Sequence, residues 1–186
     1  MKLLIMGPPG VGKGTQAKII KDELGIAHIS TGELLRDEIA EKTDIGSVAK
    51  KYIDQGKLVP DEYLFEIVRE RLNKPDCTNG YILDGFPRTL NQATGLEIIM
   101  DEYEQVLNKT ISLYADEDDL VERLVKRGKD SGRSDDTSII IRNRQKIYWQ
   151  QTAPLLDFYN ERKLLNNING LGEIEEITNR ILNALK

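Results

Sequence analysis

The chain has 186 residues, of which 39% are apolar and 31% charged, and its net charge is −5. A chain of this size forms one compact unit that buries about 70% of its unfolded surface. The acidic balance argues against a general nucleic-acid binder, and no apolar run approaches the ~20 residues of a membrane span. An anion bound here must be drawn by a local basic site and not by the overall field. The single cysteine, Cys77, excludes an intramolecular disulfide and suggests a reducing, cytoplasmic setting. With His28 the single histidine, no ligand set for a structural zinc is expected.

From the amino terminus, the apolar run 2–6 ends in a glycine-proline loop, so it reads as a buried first strand and not as the core of an export signal. Further short apolar runs lie at 27–30, 81–84 and 110–114, with a weaker one at 164–168. Between them, helical patterns cover roughly 14–24, 32–41, 47–55, 61–72, 90–103, 117–127, 138–161 and 173–185. Apolar strands alternating with helices predict an α/β fold, a five-stranded parallel sheet with helices on both faces. Two stretches exceed that plan. About fifty residues separate the second and third strands, where one crossover helix needs far fewer, so 30–59 is expected to form a helical excursion. The polar segment 128–136 carries two glycines between strong helical patterns, and by composition alone it is a solvated turn.

Gly7-Pro8-Pro9-Gly10-Val11-Gly12-Lys13-Gly14-Thr15 follows the first strand and opens a helix, the context in which a phosphate-binding loop is credible. Its glycines let successive N–H groups turn inward around phosphate oxygens, and the helix amino end adds partial positive charge. Lys13 is placed to reach the β and γ phosphates. The general pattern has Ser or Thr directly after the lysine to hold Mg²⁺. Here Gly14 stands there and Thr15 follows, which weakens a direct hydroxyl–metal contact.

This loop resembles that of the nucleoside monophosphate kinases, and almost the whole chain is similar to the adenylate kinase family. The likeness rests on the loop, on Ser30-Thr31-Gly32 with Arg36, on Gly56-Lys57-Leu58-Val59-Pro60, on Asp84-Gly85-Phe86-Pro87-Arg88 with Gln92, and on Arg127 through Gly132-Arg133-Ser134-Asp135-Asp136. It implies a P-loop nucleoside triphosphate hydrolase type of fold with a core of 1–29, 60–125 and 137–186. An NMP-binding subdomain would span 30–59 and a short lid 126–136. It also implies transfer of a phosphoryl group from Mg-ATP to AMP, giving two ADP, by a monomer without zinc, nucleic acid or membrane as partner.

By the same resemblance, Gly10 through Thr15, Arg123, Arg127 and Gly172 contact ATP. Thr31, Arg36, Lys57, Leu58, Val59, Gly85, Phe86, Pro87, Arg88, Gln92, Arg133 and Arg144 contact AMP. Lys13, Arg88, Arg123, Arg133 and Arg144 carry the transfer. Asp84 closes the strand 81–84, where ligands collect in an open α/β sheet, and would order Mg²⁺ through water. Paired guanidinium groups can grip a phosphate bidentately, which lysine cannot. Arg69 and Arg71 read as solvated surface charges, and Arg142 stands between a family position and a solvent role.

Thr31 and Gln92 favour AMP, because UMP/CMP kinases resemble other strings at these positions. An amide suits the paired polar edge of adenine. Asp135, Asp136 and Ser138 are available to cap the next helix. His28 reads as a strand residue with a local hydrogen bond. No general base is needed, since the attacking phosphate oxygen of AMP is already ionised. A UMP/CMP kinase of the same fold and a non-catalytic ATP/AMP-sensing module are the competing readings.

Overall fold

The computed structural model describes residues 1–131 and 133–186, and the side chains of these except 117–119 and 129–131. Gly132, expected within the lid, lies outside the described residues. Strand β1 (Lys2–Met6) leads through the glycine loop into α1 (Lys13–Leu24). The chain continues as β2 (Ala27–Ser30), α2 (Thr31–Glu41), α3 (Asp44–Ile53), α4 (Asp61–Leu72), β3 (Tyr81–Asp84) and α5 (Leu90–Glu102). After β4 (Lys109–Tyr114) come α6 (Glu117–Ser131), α7 (Ser138–Ile147), α8 (Pro154–Glu161), β5 (Leu165–Asn169) and α9 (Ile174–Ala184).

The five strands form one parallel sheet in the order β2-β3-β1-β4-β5, the predicted P-loop α/β fold. Strand alternation divides the core in two. Leu3, Ile5 and Ile82 pack with Ala17 and Ile20 of α1 and Ile177 and Ile181 of α9. Leu4, Met6, Tyr81 and Leu83 face the other way, onto Val68 of α4, Leu96 of α5 and Leu155 of α8. Both faces are apolar because helices cover both. The register sets Ile5 and Ser30 beside Asp84, so the carboxyl ends of the three strands β1, β2 and β3 meet at one sheet edge.

Three helical expectations change. Helix α3 begins at Asp44 and not near 47, because the Thr43 hydroxyl accepts the Gly46 N–H at 2.9 Å and caps it there. Helix α6 runs on through Gly128 to Ser131, so the segment from 128 begins as helix and not as a turn. A mid-helix glycine is tolerated where it admits a neighbour: a Cβ on Gly128 would lie 2.8 Å from the Asp136 carbonyl oxygen. The expected helix 138–161 is interrupted by a π turn over Tyr148–Thr152, in which the Ala153 N–H donates to the Tyr148 carbonyl at 2.8 Å. Pro154, which has no N–H to give, then opens α8. Among the described residues no helix is long and apolar enough to cross a membrane.

Candidate functional site

The loop after β1 places Gly7, Gly10 and Gly12 at positive φ, the conformation that turns its N–H groups inward. Lys13, the first residue of α1, folds back so that Nζ donates to the carbonyls of Gly7 and Pro8 at 2.7 and 3.0 Å. Gly14 lies against the end of β3, and a Cβ there would sit 3.4 Å from Asp84 Oδ2. The glycine after the lysine thus stands where the loop passes the carboxylate. Gln145 Nε2 of α7 donates to the Pro9 carbonyl at 3.1 Å and ties the far side of the loop to that helix.

A cavity of about 400 Å³ opens over this loop. Of the residues assigned above to ATP, Gly10, Gly12, Lys13, Gly14, Thr15, Arg123 and Arg127 line it, as do Asp84, Arg88, Arg133 and Arg144. Arg123 and Arg127, four apart on α6, reach it together, as their helical spacing requires. Val11 is buried beneath the loop, and Gly172 lies on the turn before α9; neither lines the cavity. A second cavity of about 80 Å³ is lined by Thr31, Lys57 and Val59. Arg36, Leu58, Gly85, Arg88 and Arg144 line both spaces, so the two adjoin across these residues.

Arg88 is the pivot of this arrangement. Its Nε donates to the Gly85 carbonyl at 2.7 Å, its backbone N–H to Gln92 Oε1 at 2.7 Å, and its carbonyl accepts from the Thr152 hydroxyl at 2.8 Å. Burial and the nearby Arg144 push its pKa down, with Asp84 acting against them. Pro87 lines the larger cavity, whereas Phe86 is buried against Phe65 in an edge-to-face pair. Thr31 is buried and donates to the Gly85 carbonyl at 2.9 Å. Gln92 has no exposed surface and lines neither cavity; it is reached through Arg88.

Asp84 is nearly buried, and burial raises its pKa, but His28, Lys13 and Arg88 outweigh that and hold it below the ordinary carboxylate value. An ionised acceptor beside the phosphate loop suits a hard cation. Among the described residues no three His, Cys, Asp or Glu side chains gather to hold a metal, so Mg²⁺ here would take its other ligands from phosphates and water. The expected local hydrogen bond of His28 does not form: Nε2 lies 3.8 Å from Asp84 Oδ2 and has no hydrogen-bond partner among the described residues. The register opposes Ser30, not His28, to Asp84, which leaves the imidazole short of bonding distance.

Asp135 and Asp136 do not cap α7. Thr137 does so, its hydroxyl accepting from the Ile140 N–H, while Ser138 is already helical. Asp136 instead takes both arms of Arg127 at 2.7 Å and Arg144 at 2.8 Å, and Asp135 takes Arg144 at 2.9 Å. Burial raises the pKa of Asp136, but Arg127 more than offsets it and the carboxyl stays ionised. Arg71 is not a solvated charge: its side chain is 15% exposed and clasps Asp76 at 2.8 and 2.6 Å, beside Cys77 Sγ. Arg69 pairs with Glu102 on the surface, and Arg142 is exposed and lines neither cavity.

Residues 5–164 match the protein family described as adenylate kinase. The chain is 49% identical over 184 residues to an adenylate kinase of Leptospira biflexa, covering 99% of each. It is 47% identical over 186 residues to one of Bifidobacterium longum, covering 100% of each, and 45% identical to one of a Nocardioides species, covering 100% of this chain and 97% of that one. Strand order, phosphate loop and these full-length likenesses agree: the chain belongs to the adenylate kinase family.

Proposed function

We propose that the chain transfers the terminal phosphoryl group of Mg-ATP reversibly to AMP, giving two ADP, and so balances the adenine nucleotides. The observation that carries this reading is the pair of adjoining cavities, one over the phosphate loop and one beside Thr31, with Arg36, Arg88 and Arg144 common to both. A donor triphosphate in the first and an acceptor monophosphate in the second would meet at these guanidinium groups.

In this reading Gly10 through Thr15 hold the ATP phosphates, with Gly172 supplying backbone to the adenine side. Arg36 and Arg88 grip the AMP phosphate, and Lys57 through Val59 line its sugar and base. When bound, Mg²⁺ neutralises phosphate charge, and Asp84 would order its water ligands. The AMP oxygen attacks without a general base. What remains is alignment and stabilisation of charge spread over the moving group, the work of Lys13, Arg88, Arg123, Arg133 and Arg144.

Arg127 and Arg144 would exchange their bonds to Asp135 and Asp136 for bonds to phosphate, keeping the guanidinium groups oriented beforehand. Residues 30–59 would act as the AMP flap and 126–136 as the lid, closing over both nucleotides to exclude water. The protein would act as a cytoplasmic monomer. Direct measurement of ADP from Mg-ATP with AMP, UMP or CMP tests the proposal. ADP formation preferring AMP is expected; preference for UMP or CMP, or binding without transfer, would overturn it.

A further inference from the structure

The likeness to adenylate kinases assigns the choice of adenine to Thr31 and Gln92, and the buried amide of Gln92 is held at both ends. Oε1 accepts the Arg88 backbone N–H at 2.7 Å, and Nε2 donates to Asp61 Oδ1 at 2.7 Å. Asp61 is the first residue of α4, and its other oxygen accepts from Asn91 Nδ2, so both its oxygens turn toward the first turn of α5. The two ends of a carboxamide are nearly equal in size, and only their partners decide which end faces which way. A backbone N–H only donates and an ionised carboxylate only accepts. Arg88 and Asp61 therefore demand the same orientation.

Each end of the amide keeps one further valence, an N–H on Nε2 and a lone pair on Oε1. A 6-aminopurine shows an acceptor at N1 beside an amino donor. A 6-oxopurine shows the reverse, an N1–H donor beside a carbonyl acceptor. The orientation of the Gln92 amide decides which of the two it can pair with, and a mismatch leaves buried groups unpaired. We infer that Asp61 is a specificity-determining positioning residue: it holds the Gln92 amide in one orientation, so that the AMP site accepts a 6-aminopurine and rejects a 6-oxopurine. The inference rests on the AMP assignment of that site. The competing role is a plain tether between α4 and α5, which Asn91 would share.

Inosine monophosphate is the discriminating probe, because it has the size of AMP with the polar edge reversed. kcat and KM for AMP and for inosine monophosphate, at saturating Mg-ATP, are measured in the wild type and in Asp61→Ala, Asp61→Asn and Asn91→Ala, with melting temperatures alongside. The wild type should prefer AMP by about 10³-fold or more. Asp61→Ala should cut that preference about tenfold, chiefly through a higher KM for AMP, with KM for ATP unchanged. Asp61→Asn keeps an acceptor oxygen and should restore most of the preference, whereas Asn91→Ala should leave it alone.

An unaltered preference in Asp61→Ala, or an equal loss in Asn91→Ala, overturns the inference whatever the melting temperature does. Should Asp61→Ala not fold, Asp61→Ser, whose hydroxyl is too short to replace the carboxylate, stands in under the same expectations. A wild type with no preference for AMP over inosine monophosphate overturns the AMP assignment instead.

Discussion

At Lys13 the ammonium is pressed against the carbonyls of Gly7 and Pro8, and burial there lowers its pKa from 10.5 to about 8. Asp84 pulls the value back up; Arg88, Arg144 and Arg127 push it further down. The folded chain therefore gives up this proton near pH 8, while the unfolded chain keeps it to about 10.5. Between those values the unfolded state binds more protons, so the contribution of Lys13 to stability rises with pH across that window. Bound phosphates favour the charged form and raise the pKa again. Nucleotide binding near pH 8 should accordingly take up a proton, and affinity for Mg-ATP should fall as pH rises past 8. Calorimetry in two buffers of different ionisation enthalpy reads the uptake directly. Lys13→Met should abolish it, lower turnover by about 10³-fold or more and leave the melting temperature no lower than wild type, since it removes a charge the fold disfavours. A variant with most of its turnover would remove Lys13 from the chemistry.

The π turn between α7 and α8 is the element that the amphipathic pattern conceals. Residues 138–161 keep a helical period throughout, and the extra residue of a π turn shifts that period too little to show against it. Its consequence is nonetheless specific: Tyr148 and Thr152 both face the larger cavity, and the Thr152 hydroxyl holds the Arg88 carbonyl at 2.8 Å. Thr152→Val keeps the shape and removes that donor, so it should cost about 1 kcal/mol of stability and raise KM for AMP several-fold. Thermal melts and initial rates check the two halves; a changed KM for ATP alone would place Thr152 elsewhere in the mechanism. Strands β1 and β3 fall on their apolar runs, because a strand buried on both faces has a local signature. The glycine loop and Asp84 are legible for the same reason, since the motif and the strand end are contiguous. The clasp of Arg127 and Arg144 by Asp135 and Asp136 is not, because it depends on how α6 and α7 pack against each other. The same holds for Gln145 on the Pro9 carbonyl, a contact between residues 136 positions apart.

Across the whole molecule the charge is uneven in a way that the net value of −5 hides. Among the described residues, Lys13, Lys18, Arg36, Arg88, Arg123, Arg127, Arg133 and Arg144 line the larger cavity, against Glu33 and Asp84. Burial and mutual repulsion lower the pKa of Arg36 and Arg88 as well as that of Lys13, so the fold holds a cluster of cations in a place that disfavours them. Polyphosphate relieves that repulsion, which makes the substrates stabilisers of the fold as well as reactants. At about a hundred times Kd a ligand stabilises the folded state by about 2.7 kcal/mol. For a chain of this length that should raise the melting temperature by about 5–10 °C. The rise should be larger for ATP and AMP together than for either alone, because Arg36, Arg88 and Arg144 line both cavities and the two anions share them. Added potassium chloride at ~0.5 M should shrink the shift at fixed nucleotide concentration by weakening binding, and should raise the melting temperature of the empty protein by screening the cluster. A nucleotide shift that ignores salt, in a protein whose empty form salt does not stabilise, would mean that the cavity's charge is not what couples binding to folding.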